Sequence, residues 1–493
     1  MPARSSVRRR RSSAVAVVGD PTLRRPAGAI PHVSTMRCAK LGAWRSRRSS
    51  ASRRPDRHAA VVTAVGQLWS RVADRVRNAA RRGNAPAIAA LDIGTEFAKA
   101  LVLSVERDGE GRLTGVVRGS GRQRQGLAHM QSGTVSDIDA VVANSRAAMD
   151  AARAEAGRTP IAAVIGIAGE LVKGATATLT TRRDDPRRPL DEPELERLVR
   201  RAQDSALREA ETVIRWESGV DRLDVRLVHA AIVEMTIDGY PVSNPIGFSG
   251  AQVELHVFNA FAPMVHLGAL QSVADALGLQ LLGVIAEPYA VATCLDPGEL
   301  GDAGAVFVDI GGGTTDVALV RSGGIEGTRM FALGGRAFTK SLADRLDLPF
   351  PRAEAAKVDY ARGLPVERRD EVAAIVADDV EVWAAGVELV MEELGGGDLL
   401  PGRIYLCGGG SRLPEIAAAL SADRFWQGLS FARSPEVIVM APDQIETITD
   451  ATDLLVDQQD VTPLGLAYQA IELQTTEDPL DAALRRVLRA MKV

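Results

Sequence analysis

The sequence predicts an α/β fold built twice over, as two lobes of related design. Three observations predict it. An apolar strand that ends in aspartate, glycine and threonine, with a second strand behind it, occurs at residues 87–105 and again at 305–320. A third strand, glycine turn and helix start follows at 403–416. The length of 493 residues exceeds what one core accommodates and suggests about two to four domains.

Bulk composition sets the class. An apolar fraction of 46% and a mean hydropathy near zero suit a globular protein. No uninterrupted apolar run reaches the roughly 18 residues of a membrane span. Cys38, Cys294 and Cys407 form no CxxC pair, which argues against a disulfide framework or structural zinc and for a reducing cytoplasm. Charge is uneven: residues 1–83 hold 20 Lys+Arg against 3 Asp+Glu, so the basic excess sits in one tail of a chain whose net charge is −4.

Residues 1–60 are rich in Arg and Ser and have little apolar periodicity, so they are expected to be disordered. They resemble a transit peptide or polybasic arm in composition, or upstream sequence from a wrongly chosen start, with Met36 an alternative. Over 61–84, Val61, Val65, Leu68, Trp69, Val72 and Val76 recur at helical spacing among arginines. That is a basic amphipathic helix, suited to an anionic membrane interface or to packing on the protein's own surface.

The two hairpins carry the chemistry. Ala87-Ile-Ala-Ala-Leu-Asp-Ile-Gly-Thr95 and Ala305-Val-Phe-Val-Asp-Ile-Gly-Gly-Gly-Thr-Thr-Asp-Val-Ala-Leu-Val320 each place a carboxylate, glycine and hydroxyl at a turn. Glycine lets main-chain N–H groups approach phosphate oxygens that a Cβ would fend off. Thr95, Thr314 and Thr315 add hydroxyl donors, and Asp92 and Asp309 suit a hydrated Mg²⁺. Lys99 can reach a phosphate as a point charge. Either turn alone could be ordinary; the pair favours a duplicated fold gripping one nucleotide. In Arg403-Ile-Tyr-Leu-Cys-Gly-Gly-Gly-Ser-Arg-Leu-Pro-Glu-Ile416, Gly408, Gly409 and Gly410 would let an adenine or ribose lie flat on the backbone.

These stretches resemble, in order and spacing, the phosphate-1, phosphate-2 and adenosine motifs of the actin, Hsp70 and sugar-kinase superfamily. The resemblance covers about residues 86–474. It implies a duplicated actin-like (ribonuclease H-like) two-lobe ATPase fold, with ATP and Mg²⁺ as ligands. Asp92 and Asp309 would hold the metal, while Gly94, Thr95, Lys99, Gly311, Gly312, Gly313, Thr314 and Thr315 grip the phosphates. Gly408 to Gly410 would face adenosine, and Gly334, Gly335, Glu354 and Lys357 flank ribose and base. Ile285–Ala292 and Thr462–Ala467 look like the two connecting helices of the hinge. Glu287, at the start of the first, either orients an attacking water or only caps the helix, so hydrolysis is expected to be slow at most.

Ile237–Gly250 is similar to the Asn-Pro-Val-Gly loop of the FtsA family, and Gln125–Asp137 resembles a second FtsA segment. The implied domains are subdomain IA at 86–168 and 255–300, an FtsA/PilM-type extra subdomain IC at 169–254, IIA at 302–332 and 398–474, and IIB at 333–397. Residues 475–493 are a linker and terminal amphipathic helix, with Leu480, Ala483, Leu484, Val487, Leu488 and Met491 as its stripe and Arg485, Arg486, Arg489 and Lys492 beside it. Such a helix binds an anionic leaflet weakly alone and strongly in an array; the alternative is a helix docked on its own domain. Two features depart from FtsA: a short linker, Gln474–Pro479, and Asp378-Asp-Val-Glu-Val382 where an arginine is usual. The resemblance implies a cell-division protein at the inner membrane face that self-associates into filaments, anchors FtsZ and meets other divisome proteins, with no nucleic-acid partner. The alternative is a PilM-like cytoplasmic platform of type IV pili. A sugar kinase lacks its substrate acid here, and an Hsp70-like chaperone lacks its substrate domain.

Overall fold

Every residue of β1 (Ile88–Ile93) is buried, as a strand must be when helices cover both faces of its sheet. The computed structural model describes residues 87–474, apart from 110, 220–222, 302 and 322–323, together with Leu480, Ala483, Leu484 and Val487. The Arg/Ser-rich extension, the basic helix expected over 61–84, residues 475–479, and Arg485, Arg486, Leu488, Arg489, Met491 and Lys492 lie outside the described residues.

β2 (Phe97–Arg107) and β3 (Leu113–Arg124) extend β1 as an antiparallel meander. The small hairpin of β4 (Met130–Gln131) and β5 (Thr134–Val135) leads into helix α1 (Ile138–Ala156). Asp137 caps α1 by accepting the Ala140 N–H, and Gly157 ends it in the left-handed region. The helix lies directly on β3: a Cβ at Gly119 or Gly121 would stand 2.1 Å from the Ala152 carbonyl oxygen or 1.9 Å from that of Ala148. β6 (Ala162–Ile167) then pairs parallel with β1.

An insertion follows, made of β7 (Lys173–Arg182), α2 (Glu192–Ser218), β8 (Val225–Ile237), β9 (Tyr240–Pro241) and β10 (Gln252–Pro263). Asp191 caps α2 through the Glu194 N–H, and Gly219 closes it. The division expected at 254/255 falls inside β10, which pairs with β7 and β8 through to Phe261 and Pro263 respectively. α3 (Met264–Ala276), β11 (Gln280–Ala286) and α4 (Glu287–Ala292) return the chain to the first sheet, where β11 lies parallel to β6.

The second half repeats the first. β12 (Ala305–Ile310), β13 (Thr315–Arg321) and β14 (Gly324–Phe331) form another meander, followed by α5 (Gly335–Leu346), α6 (Phe350–Ala361) and α7 (Arg369–Gly395). β15 (Arg403–Cys407) pairs parallel with β12; α8 (Pro414–Ser421) and β16 (Glu436–Val439) follow, with β16 parallel to β15. Hence β16-β15-β12-β13-β14 has the same order and directions as β11-β6-β1-β2-β3. The inserted strands join the second sheet through β7 and β14, giving nine strands in all.

The last strand and helix cross back. β17 (Ile448–Asp450) pairs with β3 in the first sheet, and α9 (Val461–Glu472) packs on β1, β2 and β6. Residues 448–472, expected within IIA, therefore complete the first lobe's layers. α9 crosses α4 at Gly465, where a Cβ would meet the Ala290 carbonyl oxygen at 2.8 Å. Tyr289 of α4 stacks on Phe258 of β10 and meets His229 of β8 edge-on, tying the insertion to this crossing.

Separate apolar clusters fill the second lobe, around Trp383 and Phe338, and the insertion. The insertion's cluster contains Leu480, Ala483, Leu484 and Val487 beside Leu195 and Leu198 of α2 and Leu255 of β10. The described part of the terminal stripe is thus docked on its own chain. Among the described residues no helix is long and apolar enough to cross a membrane.

Candidate functional site

The β1–β2 and β12–β13 turns face one another across a single cleft of about 670 Å³. Each hairpin is pinned by its own turn: the Gly94 N–H donates to the Phe97 carbonyl at 3.0 Å, and the Gly311 N–H to that of Thr314 at 2.9 Å. The loops touch. A Cβ on Gly312 would come within 2.8 Å of Glu96 Cβ, and one on Gly313 within 2.8 Å of Thr95 Oγ1. Helix α5 secures the second loop, because the Gly335 and Arg336 N–H groups donate to the Gly311 and Gly312 carbonyls at 2.9 and 2.7 Å.

Asp92 and Asp309 both line this cleft. Lys99 stands opposite Asp92 in the β1–β2 register, donating to Asp92 Oδ2 at 3.0 Å and to the Gln459 carbonyl at 2.6 Å. Burial works against its charge, but Asp92, Asp309 and Asp460 outweigh that and raise its pKa. At the equivalent place in the second hairpin, opposite Asp309, stands Asp316. Burial, then the Asp309 charge, pushes its carboxyl up to about 7. Asp309 is raised by burial, against a 2.6 Å hydrogen bond from Thr462 Oγ1. Glu287, at the first turn of α4, is pushed well above the usual range by burial and then by Asp92, Asp316 and Asp309. Gly166 leaves its carboxylate room, since a Cβ there would lie 2.5 Å from Oε1.

Asp92, Glu287, Asp309 and Asp316 thus gather four carboxyl groups around one ammonium, Lys99, and the local imbalance suits an added cation. No group of three His, Cys, Asp or Glu side chains among the described residues is arranged to encage a metal ion; Mg²⁺, which retains most of its waters, needs only one or two protein carboxylates.

The third glycine turn and α6 line the same cleft. Gly408 sits at φ +80°, and a Cβ on it would meet Asp309 Oδ1 at 2.2 Å, so only glycine is accommodated. Gly409 has nothing within 4 Å of its Cβ position and opens onto the cleft. Glu354 and Lys357, a turn apart on α6, pair at 2.9 Å, and Lys357 also donates to the Gly335 carbonyl at 2.8 Å.

Of the residues singled out from sequence, Asp92, Gly94, Thr95, Lys99, Glu287, Asp309, Gly311, Gly312, Thr314, Gly335, Glu354, Lys357 and Gly408 to Gly410 line the cleft. Gly313, Thr315 and Gly334 do not. The Thr315 hydroxyl donates to the Leu333 carbonyl and accepts the Trp383 indole N–H, which makes it part of the second lobe's core. Gly334 lies against the second loop, with the Gly311 carbonyl oxygen 2.6 Å from its Cβ position. Sequence reasoning passed over Glu96 and Arg336. The Arg336 Nε of α5 reaches Glu96 Oε2 across the cleft at 2.8 Å, and Arg124 Nε holds Oε1 at 2.7 Å. It also gave no role to Asp316, although its place in the second hairpin matches that of Lys99 in the first.

The family described as cell division protein FtsA matches residues 306–437. The chain is 28% identical over 360 residues to the FtsA of Pseudomonas aeruginosa, covering 69% of this chain and 81% of that one. To the FtsA of Streptococcus pneumoniae it is 27% identical over 346 residues, 66% and 71% of the two chains. Among solved structures, the PilM–PilN type IV pilus biogenesis complex superposes with a TM-score of 0.54 at 17% identity, over 78% of this chain and 98% of that one, a likeness of fold. With its repeated five-strand order and facing glycine turns, the chain has the actin-like fold, and its sequence is similar to that of FtsA proteins.

Proposed function

We propose that the chain binds Mg-ATP in this cleft and serves cell division in the FtsA manner, assembling with its own copies at the cytoplasmic membrane face and anchoring FtsZ filaments. The observation that carries the nucleotide reading is that Asp92 and Asp309, from the two halves of a duplicated sheet, line one cavity. Asp92 and Asp309 would hold the hydrated metal, and the turn amides with Thr95 and Thr314 would take the phosphates. Gly408 to Gly410 would lie against the adenosine, with Glu354 and Lys357 at its edge. Mg²⁺, when bound, neutralises phosphate charge. Glu287, whose carboxyl is pushed up by burial and then by Asp92, Asp316 and Asp309, would orient water, with turnover slow and assembly the working role. The division role rests on the FtsA relatives, and membrane attachment on the cationic terminal helix.

Titration with a fluorescent ATP analogue tests the site. Asp309→Ala should weaken Mg-dependent binding at least about tenfold, a loss of roughly 1.4 kcal/mol, and Gly312→Val should abolish it. Wild-type affinity in both would mean the nucleotide site is misplaced.

A PilM-like platform is the second reading, favoured by the fold likeness and by the docked terminal stripe, since such a protein needs no membrane helix. Deleting residues 479–493 separates the two: an FtsA-like protein leaves the membrane, whereas a platform stays with its protein partner.

A further inference from the structure

Leu480, Ala483, Leu484 and Val487 follow the i, i+3, i+4, i+7 spacing of one helical face, and each is 7% exposed or less. They pack in one cluster with Leu195, Leu198 and Val199 of α2 and Val253, Leu255 and Val257 of β10. A membrane-bound amphipathic helix sets this same face among the acyl chains. One face cannot be in both places. From this we infer that the inserted subdomain is the receptor for the chain's own C-terminal helix, and that its groove between α2 and β10 competes with an anionic lipid surface for those four side chains.

Two further features favour the docked state in a single molecule. Only five residues separate Leu480 from Gln474, which is buried at the end of the folded body, so the groove stays within reach at high effective concentration. Leaving it would also uncover apolar surface of α2 and β10 in that cluster. An array of copies on one membrane gains by multivalency what each copy loses on undocking, so assembly and attachment promote one another. This competition rests on the proposed membrane role of the terminal helix.

The test uses the full chain, hydrogen exchange, and flotation with vesicles of equal parts phosphatidylcholine and phosphatidylglycerol. Without lipid, the amides of residues 480–487 should be protected in the wild type. Leu198→Glu alters the groove and leaves the helix sequence intact; it should remove that protection and strengthen vesicle binding about tenfold, if the docked form outnumbers the free form by about ten to one. The milder Leu198→Ala should move both readouts the same way, and keeps the test open if the glutamate variant does not fold. Leu484→Glu should lose both protection and vesicle binding. Unprotected 480–487 amides in the wild type would overturn the docking. Equal vesicle affinity in wild type and both Leu198 variants would overturn the competition alone. Protected amides with no vesicle binding by any form would instead overturn the membrane role on which the competition rests.

Discussion

At the scale of single residues, one part of the cleft gathers the carboxyl groups of Asp92, Glu287, Asp309 and Asp316 around the single ammonium of Lys99. Asp316 shows the consequence. Its ordinary value is 3.8 and burial raises it to about 7, so between those values the native state holds a proton that the unfolded chain has released. Stability must therefore fall as pH rises through that window and level off above it, by at most about 1.4 kcal/mol per pH unit for this group. Thermal melts of nucleotide-free protein from about pH 5 to about pH 8 should show the decline, and Asp316→Asn should make it shallower. An identical slope in the variant would mean that Asp316 is ionised throughout. Asp92, Asp309 and the glycine turns were legible in sequence because strand, acid and glycine fall within one short stretch. The pairing of Glu96 with Arg336, so far apart in the chain, carries no local signal. Thr314 and Thr315 part for a related reason: Thr314, in the turn, lines the cleft, while Thr315 begins the strand and turns its hydroxyl to the Trp383 indole in the second lobe's core.

Among elements, the hairpins and amphipathic helices announce themselves by period and caps, whereas β17 is three residues, Ile-Thr-Asp, with no pattern to mark it. The expected 254/255 division falls inside β10, which is apolar almost throughout its second half and has no local break to mark an edge. Close helix-to-strand contact is likewise invisible until the partner is known. Gly121 reads as an ordinary strand glycine, yet its Cβ position lies inside α1. Gly121→Ala should lift α1 from β3 and cost about 1–3 kcal/mol, seen as a lower melting temperature; an unchanged melt would mean that the helix shifts freely. The terminal stripe admitted two readings from sequence, since docking and lipid binding demand the same apolar face.

At the scale of the two lobes together, duplication brings two sheets that share a five-strand order together so that their hairpin turns meet, and α4 and α9 cross where the halves join. Arg336 and Glu96 link the halves at the cleft, both largely shielded from solvent. Arg336→Ala should free the lobes to part and speed nucleotide release by roughly tenfold, on the order of 1.4 kcal/mol, in stopped-flow displacement; unchanged release would deny the pair a gating part. The most direct test of convergence on one nucleotide is hydrogen exchange with and without Mg-ATP. Residues 92–99, 309–315 and 408–412 should gain protection together, with the same concentration dependence. Saturable binding that protects only one of these stretches, or none, would contradict a shared interlobe site.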